Sequence, residues 1–157
     1  MWVKKTFYSM FGYLLLAFIS SAYATGGDLK IAIDDDTAYR IHYSAFESEM
    51  LTPETARSYE IVRSKNRMVL TVSIRKGGKD ALLKTKAVEA KVTAEAKNLT
   101  GQINILDMKK VTEGDAIYYV SYFKVSNKET LLFTIRVDPE MQGREHEIKF
   151  DQQFFVD

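Results

Sequence analysis

Apolar side chains recur at every second position along most of this chain, and that period confines it to β-structure. From Arg67 to Lys76, Met68, Leu70, Val72 and Ile74 share one face, and Arg67, Val69, Thr71, Ser73 and Arg75 share the other. Gly77-Gly78-Lys79-Asp80 then supplies turn chemistry, because glycine tolerates positive φ. From Lys86 to Lys97 the alternation is cleaner, with Val88, Ala90, Val92, Ala94 and Ala96 against Glu89, Lys91, Thr93, Glu95 and Lys97. The residues from Ala81 to Asn98 are also good helix formers, so a helix there is the rival reading. Small residues on a strictly even series favour a strand in a half-buried sheet.

Further strands are expected over Leu29–Ile33, Ala38–Phe46, Ile103–Lys110, Ala116–Val125, Thr130–Asp138 and Glu145–Val156. Tyr39, Ile41, Tyr43 and Ala45 line one side of the second of these. Leu131, Phe133, Ile135 and Val137 do so in Thr130–Asp138, and Ile148, Phe150, Phe154 and Val156 in the last. One segment breaks the period. Thr52 as N-cap, Pro53 at the first helical position and the early acid Glu54 predict a helix of about two turns ending near Tyr59. Seven or eight short strands with turns every ten or so residues make an all-β antiparallel sandwich or barrel. The Cys…Trp…Cys pattern of antibody domains is absent, so these residues alone do not show an immunoglobulin-like topology.

Residues 1–24 read as a secretory signal peptide. Lys4 and Lys5 form a positive start, Phe11 to Ile19 an apolar core, and Ala22-Tyr23-Ala24 an A-x-A cleavage signal. The apolar run is short for a membrane span. The expectation is therefore export to the periplasm, cleavage after Ala24, no membrane insertion after processing, and a single β-sandwich domain over residues 25–157. The chain carries 22 Lys and Arg against 21 Asp and Glu, a formal charge of +1. Losing Lys4 and Lys5 with the leader moves that balance to −1. Such a balance provides no basic stripe for nucleic acid and no polybasic patch for lipid. The absence of cysteine excludes disulfides, thiol nucleophiles, Cys-ligated zinc and iron–sulfur clusters, so stability must come from packing alone.

Leu51-Thr52-Pro53-Glu54-Thr55-Ala56-Arg57-Ser58-Tyr59-Glu60-Ile61-Val62-Arg63-Ser64-Lys65-Asn66-Arg67 resembles the signature of a known family. So do Asn98-Leu99-Thr100-Gly101-Gln102, Glu113-Gly114-Asp115-Ala116-Ile117-Tyr118-Tyr119 and the closing Phe155-Val156-Asp157. The family is a set of small exported gammaproteobacterial proteins known as a domain of unknown function. The resemblance runs from about His42-Tyr43-Ser44 to the C-terminus. It implies an immunoglobulin-like β-sandwich in a Gram-negative periplasm, and it brings no activity, cofactor or catalytic residue. Glu60 stands where the family pattern has glycine, at the tight end of the short helix, and Phe155 stands where it has tyrosine.

Three kinds of chemistry remain to be weighed. His42 and His146, with Met50, Met68, Met108 or Met141, supply imidazole and thioether groups suited to copper. Neither histidine belongs to a short ligand pair, and isolated methionines commonly fill core gaps. For hydrolysis, no G-x-S-x-G elbow occurs; a carboxylate pair among the acids is the remaining route. The expectation is a non-enzymatic protein with no cofactor. Binding is the third. Arg57, Arg63, Lys65, Asn66 and Arg67 lie in the longest irregular segment, where a rigid scaffold commonly places binding residues. An anionic ligand or acidic partner would dock there through arginine forks. The plain alternative is a solvated loop whose cations pair with Glu54 and Glu60.

Tyr118-Tyr119, Tyr122-Phe123 and Phe154-Phe155 should each send one ring to the core and one outward. Tyr119 joins the candidate binding residues on that ground. The whole describes a binding or accessory module for an envelope protein or peptide, accepting a partner strand at an open sheet edge. Oligomeric state is not readable from the residues. The only tryptophan, Trp2, lies in the leader. Exported protein excited at 295 nm should lack indole emission, and retention of that emission would show an uncleaved leader.

Overall fold

The computed structural model describes residues 25–34, 36–78 and 84–156, so the expected leader and Ala81–Leu83 of the strand-or-helix question lie outside the described residues. Ten strands are present: β1 (Thr25–Ala32), β2 (Thr37–Glu47), β3 (Arg67–Gly78), β4 (Thr85–Ala87), β5 (Ala90–Asn98), β6 (Ile103–Leu106), β7 (Lys109–Glu113), β8 (Ala116–Lys124), β9 (Glu129–Pro139) and β10 (His146–Phe154). One sheet has the order β1-β2-β3-β8-β7, with β4 added to β3; the other has the order β10-β9-β5-β6. All pairings are antiparallel. Taking β2, β3, β8 and β7 as strands A, B, E and D, and β10, β9, β5 and β6 as G, F, C and C′, gives the sheets ABED and GFCC′ of an immunoglobulin-like sandwich. Strand β1 extends the first sheet beyond A.

The alternation that predicts strands also sets the core. Ile41 and Ala45 of β2, Met68, Leu70, Val72 and Ile74 of β3, and Phe133, Ile135 and Val137 of β9 are buried between the sheets. The stretch Lys86–Lys97 is strand, as its even series requires, but in two pieces. β4 pairs with β3, and after Val88 the chain crosses to the second sheet as β5. At the fold-back, Gly77 faces Thr85, and a Cβ there would stand 2.6 Å from the Lys84 carbonyl oxygen. The expected single strand over Ile103–Lys110 is likewise two. β6 pairs with β5 in one sheet and β7 with β8 in the other, so the chain changes sheet at Asp107-Met108. Period two reports which side a residue faces and not which sheet pairs it; eight expected strands therefore become ten.

The A–B connection, residues 48–66, folds over the outer face of the first sheet. Its helix α1 (Pro53–Ser58) is capped by Thr52, whose hydroxyl accepts from the Thr55 N–H at 3.1 Å. Leu51, Ala56, Ile61 and Tyr59 cover the outward residues Phe46, Val69 and Val120, forming a second small core. Ser48 is fully buried beneath this cap. Its hydroxyl accepts from Ser64 N–H at 2.9 Å, and its proton faces the carbonyls of Val62 and Ser64 at 3.1 and 3.0 Å. Since a buried hydroxyl without partners is costly, these contacts fix the path of the loop.

The helix ends in a Schellman turn. Glu60 N–H donates to the Arg57 carbonyl and Ile61 N–H to the Ala56 carbonyl, with Glu60 at φ 55°. The family's glycine position is thus the one needing left-handed backbone, which Glu60 adopts against its Cβ. Glu60→Gly should therefore raise stability, by about 1 kcal/mol, seen as a higher urea midpoint. A lower midpoint would show that Glu60 contributes more than the strain it carries.

Candidate functional site

The basic loop occupies one end of the first sheet. Arg57, Arg63, Lys65 and Asn66 are exposed and Arg67 is half-buried. Arg63 donates from Nη2 to the Glu49 carbonyl at 2.8 Å, which orients its guanidinium. Asn66 accepts from the Ser64 hydroxyl at 2.6 Å, and its carbonyl accepts from Val125 N–H at 3.0 Å. Arg67 opens β3 directly opposite Lys124 of β8. The expected pairing with Glu54 and Glu60 does not form: among the described residues, no ion pair involves Arg57, Arg63, Lys65 or Arg67.

Tyr119 is not on the binding surface. It faces the core, and its hydroxyl accepts from Ala90 N–H at 2.7 Å, tying strand E to the start of strand C. Odd positions of β8 point inward, so the outward members of the aromatic pairs are Tyr118 and Tyr122. Nor are the two histidines placed to share a metal. His42 lies on the outer face of the first sheet with Nδ1 against Asp28, while His146 has the inward parity of β10 in the second sheet. Among the described residues no group of three or more His, Asp or Glu converges. Burial raises the carboxyl of Glu113, and burial and the Glu113 charge raise the phenol of Tyr118, but both stand on an open sheet face.

A different feature emerges where the chain changes sheet. β7 begins only at Lys109, which pairs with Val120, so β8 has no neighbour on that side from Ser121 to Lys124. Val125 N–H donates to the Asn66 carbonyl on the β3 side, and alternation then turns the N–H and C=O of Tyr122 and Lys124 toward the open side. Facing them is β6, paired with β5 alone. Asn98 N–H donates to the Gln102 carbonyl across that hairpin, so Asn104 and Leu106 bond inward, leaving the backbone groups of Ile103 and Ile105 open. Between the two open edges runs a groove of about 210 Å³ lined by Asn104, Ile105, Leu106, Asp107, Lys109, Ser121 and Tyr122. Along β6, Ile103 and Ile105 are 54% and 72% exposed. Sequence reading missed this groove because it placed Ile103–Lys110 in one strand. The available signal was the apolar pair Ile103 and Ile105 on the parity opposite to Leu106.

At the far end, the F–G loop is latched electrostatically. Glu140 accepts from the Tyr39 hydroxyl and from Lys76 Nζ, the latter at 2.8 Å. Its N–H donates to the Glu89 carbonyl at 2.7 Å. The buried Asp138 carboxylate accepts from the N–H groups of Gln142, Gly143 and Arg144. Hydrogen bonds from Lys76 and then Tyr39 hold the Glu140 carboxyl below its ordinary value of 4.5. Because the folded value is the lower one, the latch stabilises the fold above pH 4.5 and its contribution is lost as acid protonates the carboxylate. Glu140→Gln should cost up to about 1 kcal/mol at pH 7, with the difference from wild type closing in urea titrations below pH 4. A difference independent of pH would show that the ion pair is not its source.

The family described as a domain of unknown function, DUF4426, matches residues 34–157. A crystal structure of a DUF4426 family protein from Pseudomonas aeruginosa PAO1 aligns with a TM-score of 0.65 and 34% identity, covering 83% of this chain and 97% of that one. The structure of FetP from uropathogenic E. coli strain F11, "as isolated" after recombinant expression in the periplasm of E. coli BL21(DE3), aligns with a TM-score of 0.51 and 11% identity. It covers 87% of this chain and 99% of its own, a likeness of fold. No curated protein matches the chain. The sandwich from the start of β2 onward is thus the shared domain, and the chain belongs to the gammaproteobacterial DUF4426 family.

Proposed function

We propose that this protein is an exported, non-catalytic binding module of the cell envelope, which takes an extended segment of a partner protein into the groove between β6 and β8. The leader-like residues 1–24 support export to the periplasm, and FetP, its neighbour in fold, was itself produced in that compartment. One observation carries the reading: two strand edges, with outward backbone donors and acceptors at Ile103, Ile105, Tyr122 and Lys124, flank an open groove of mixed polar and apolar lining. A protein that exposes an unpaired strand usually blunts it with charge, proline or a covering loop. β6 instead presents Ile103 and Ile105 beside an uncovered edge. Main-chain pairing there supplies affinity and the pockets between alternate side chains supply selectivity.

Proline at an edge position whose N–H faces outward leaves the inner ladder intact. Ile105→Pro should therefore abolish partner binding while Ile105→Val preserves it, with both variants folded by circular dichroism. A photo-crosslinking residue at position 105 should give an adduct in intact cells, and one at Lys149 on the opposite edge should not. Equal adducts at both positions, or binding that survives the proline, would end the strand-addition reading.

A further inference from the structure

Some cations of the sheets have carboxylate partners, while Lys30, Lys86 and Lys91 form no ion pair among the described residues. Lys76 pairs with Glu140, Lys110 with Glu89, Lys149 with Glu147, and Arg136 with Glu95, Glu145 and Glu147. Four further cations lie at or near the groove. Lys109 lies over the ring of Tyr122, 5.8 Å from its centroid. Lys124 follows Tyr122 by two residues on the same face of β8, and Arg67 is its register neighbour on β3. On β5, Lys97 stands beside Ile103, and Glu95, which Arg136 partners, stands beside Ile105. Among the described residues none of these four cations forms an ion pair, and the one carboxylate lining the groove is Asp107.

Resting on the strand-accepting reading above, we infer that the segment taken up is an acidic one: a short extended stretch of another protein, apolar at alternate positions and flanked by aspartate or glutamate. Its apolar side chains meet Ile105 and Tyr122. Its flanking carboxylates meet Lys109 at one end of the open β8 edge and Lys124 with Arg67 at the other. The open edge from Ser121 to Lys124 sets the length, since strand residues rise about 3.3 Å each and some four of them fill it. Cations left uncompensated at a rim steer an oppositely charged partner and reject a like-charged one. A second copy of this chain would bring the same lysines against these, which disfavours self-pairing. A bilayer would leave the open backbone groups without partners, because sheet edges are not tolerated in hydrocarbon.

The test uses the processed protein and three fluorescein-labelled peptides sharing one Val-Thr-Val-Thr core, flanked by Asp-Asp, Ser-Ser or Lys-Lys. By fluorescence anisotropy at low salt, the acidic peptide should bind at least about tenfold more tightly than the serine-flanked one. The lysine-flanked peptide should bind more weakly than both. The advantage should shrink in high salt, because exposed charges are screened. In a variant carrying Lys109→Gln and Lys124→Gln, the affinities of the acidic and serine-flanked peptides should become equal. Equal binding of the acidic and serine-flanked peptides to the unsubstituted protein would overturn the charge inference and leave strand addition standing. Failure of all three peptides would overturn strand addition, and this inference with it.

Discussion

Five aromatic rings packed across the gap between the sheets hold this sandwich together, in a chain that has no disulfide to do so. Tyr43 and Phe123 come from the first sheet, and Phe133, Phe150 and Phe154 from the second. Phe133 stacks on Phe150 with centroids 4.7 Å apart, Phe150 stacks on Tyr43 at 5.0 Å, and Phe123 meets Phe133 and Phe154 in tilted and edge contacts. Such pairs contribute about 0.5–1.5 kcal/mol each beyond the area they bury. The rings fit because β5 brings alanines to the inner face: Ala94 and Ala96 are buried directly beside Ile135 and Phe133. Large residues on one strand against small ones on its neighbour is how a core fills without voids.

With the sheets held by that contact, the two long connections are free to decorate the surface. The A–B segment becomes a lid on the outer face, pinned by buried Ser48 and closed by a left-handed residue. This placement spares Phe46, Val69 and Val120 from water and delivers the basic end of the loop beside Lys124. The C′–D crossing does the opposite. By leaving one sheet at Asp107 and entering the other at Lys109, the chain shortens both strands and opens a groove between their edges. A continuous strand would have closed that gap. The feature that supports binding is thus a consequence of a two-residue sheet switch.

At the F–G loop, Glu140 and Asp138 use their charge internally, on Tyr39, Lys76 and backbone N–H groups. Beside the groove Lys109 lies over a ring face instead, that of Tyr122. The formal charge of the whole chain, +1, conceals such differences, since a sum cannot show which charges find partners. The same blindness explains the fate of the basic loop. Its residues were identifiable from their run in the sequence, whereas their lack of pairing with Glu54 and Glu60 is a matter of side-chain placement in the folded chain.

Period two by itself determined that this is an all-β chain and which residues share a face, because the pleat sends successive side chains to opposite faces whatever the partner. The short helix was also legible, since its capping depends on near neighbours. Tertiary structure alone decided which strand pairs with which, and three outcomes follow from that. Tyr119 and Tyr118 differ by one position, and only pairing with β3 tells which ring is inside. His42 and His146 look equivalent along the chain, yet they belong to different sheets and face different directions. Ile103 and Ile105 flank a groove because the chain changes sheet two residues beyond them. Hydrogen-bond pairing between distant strands is a non-local choice, and alternation carries no memory of it.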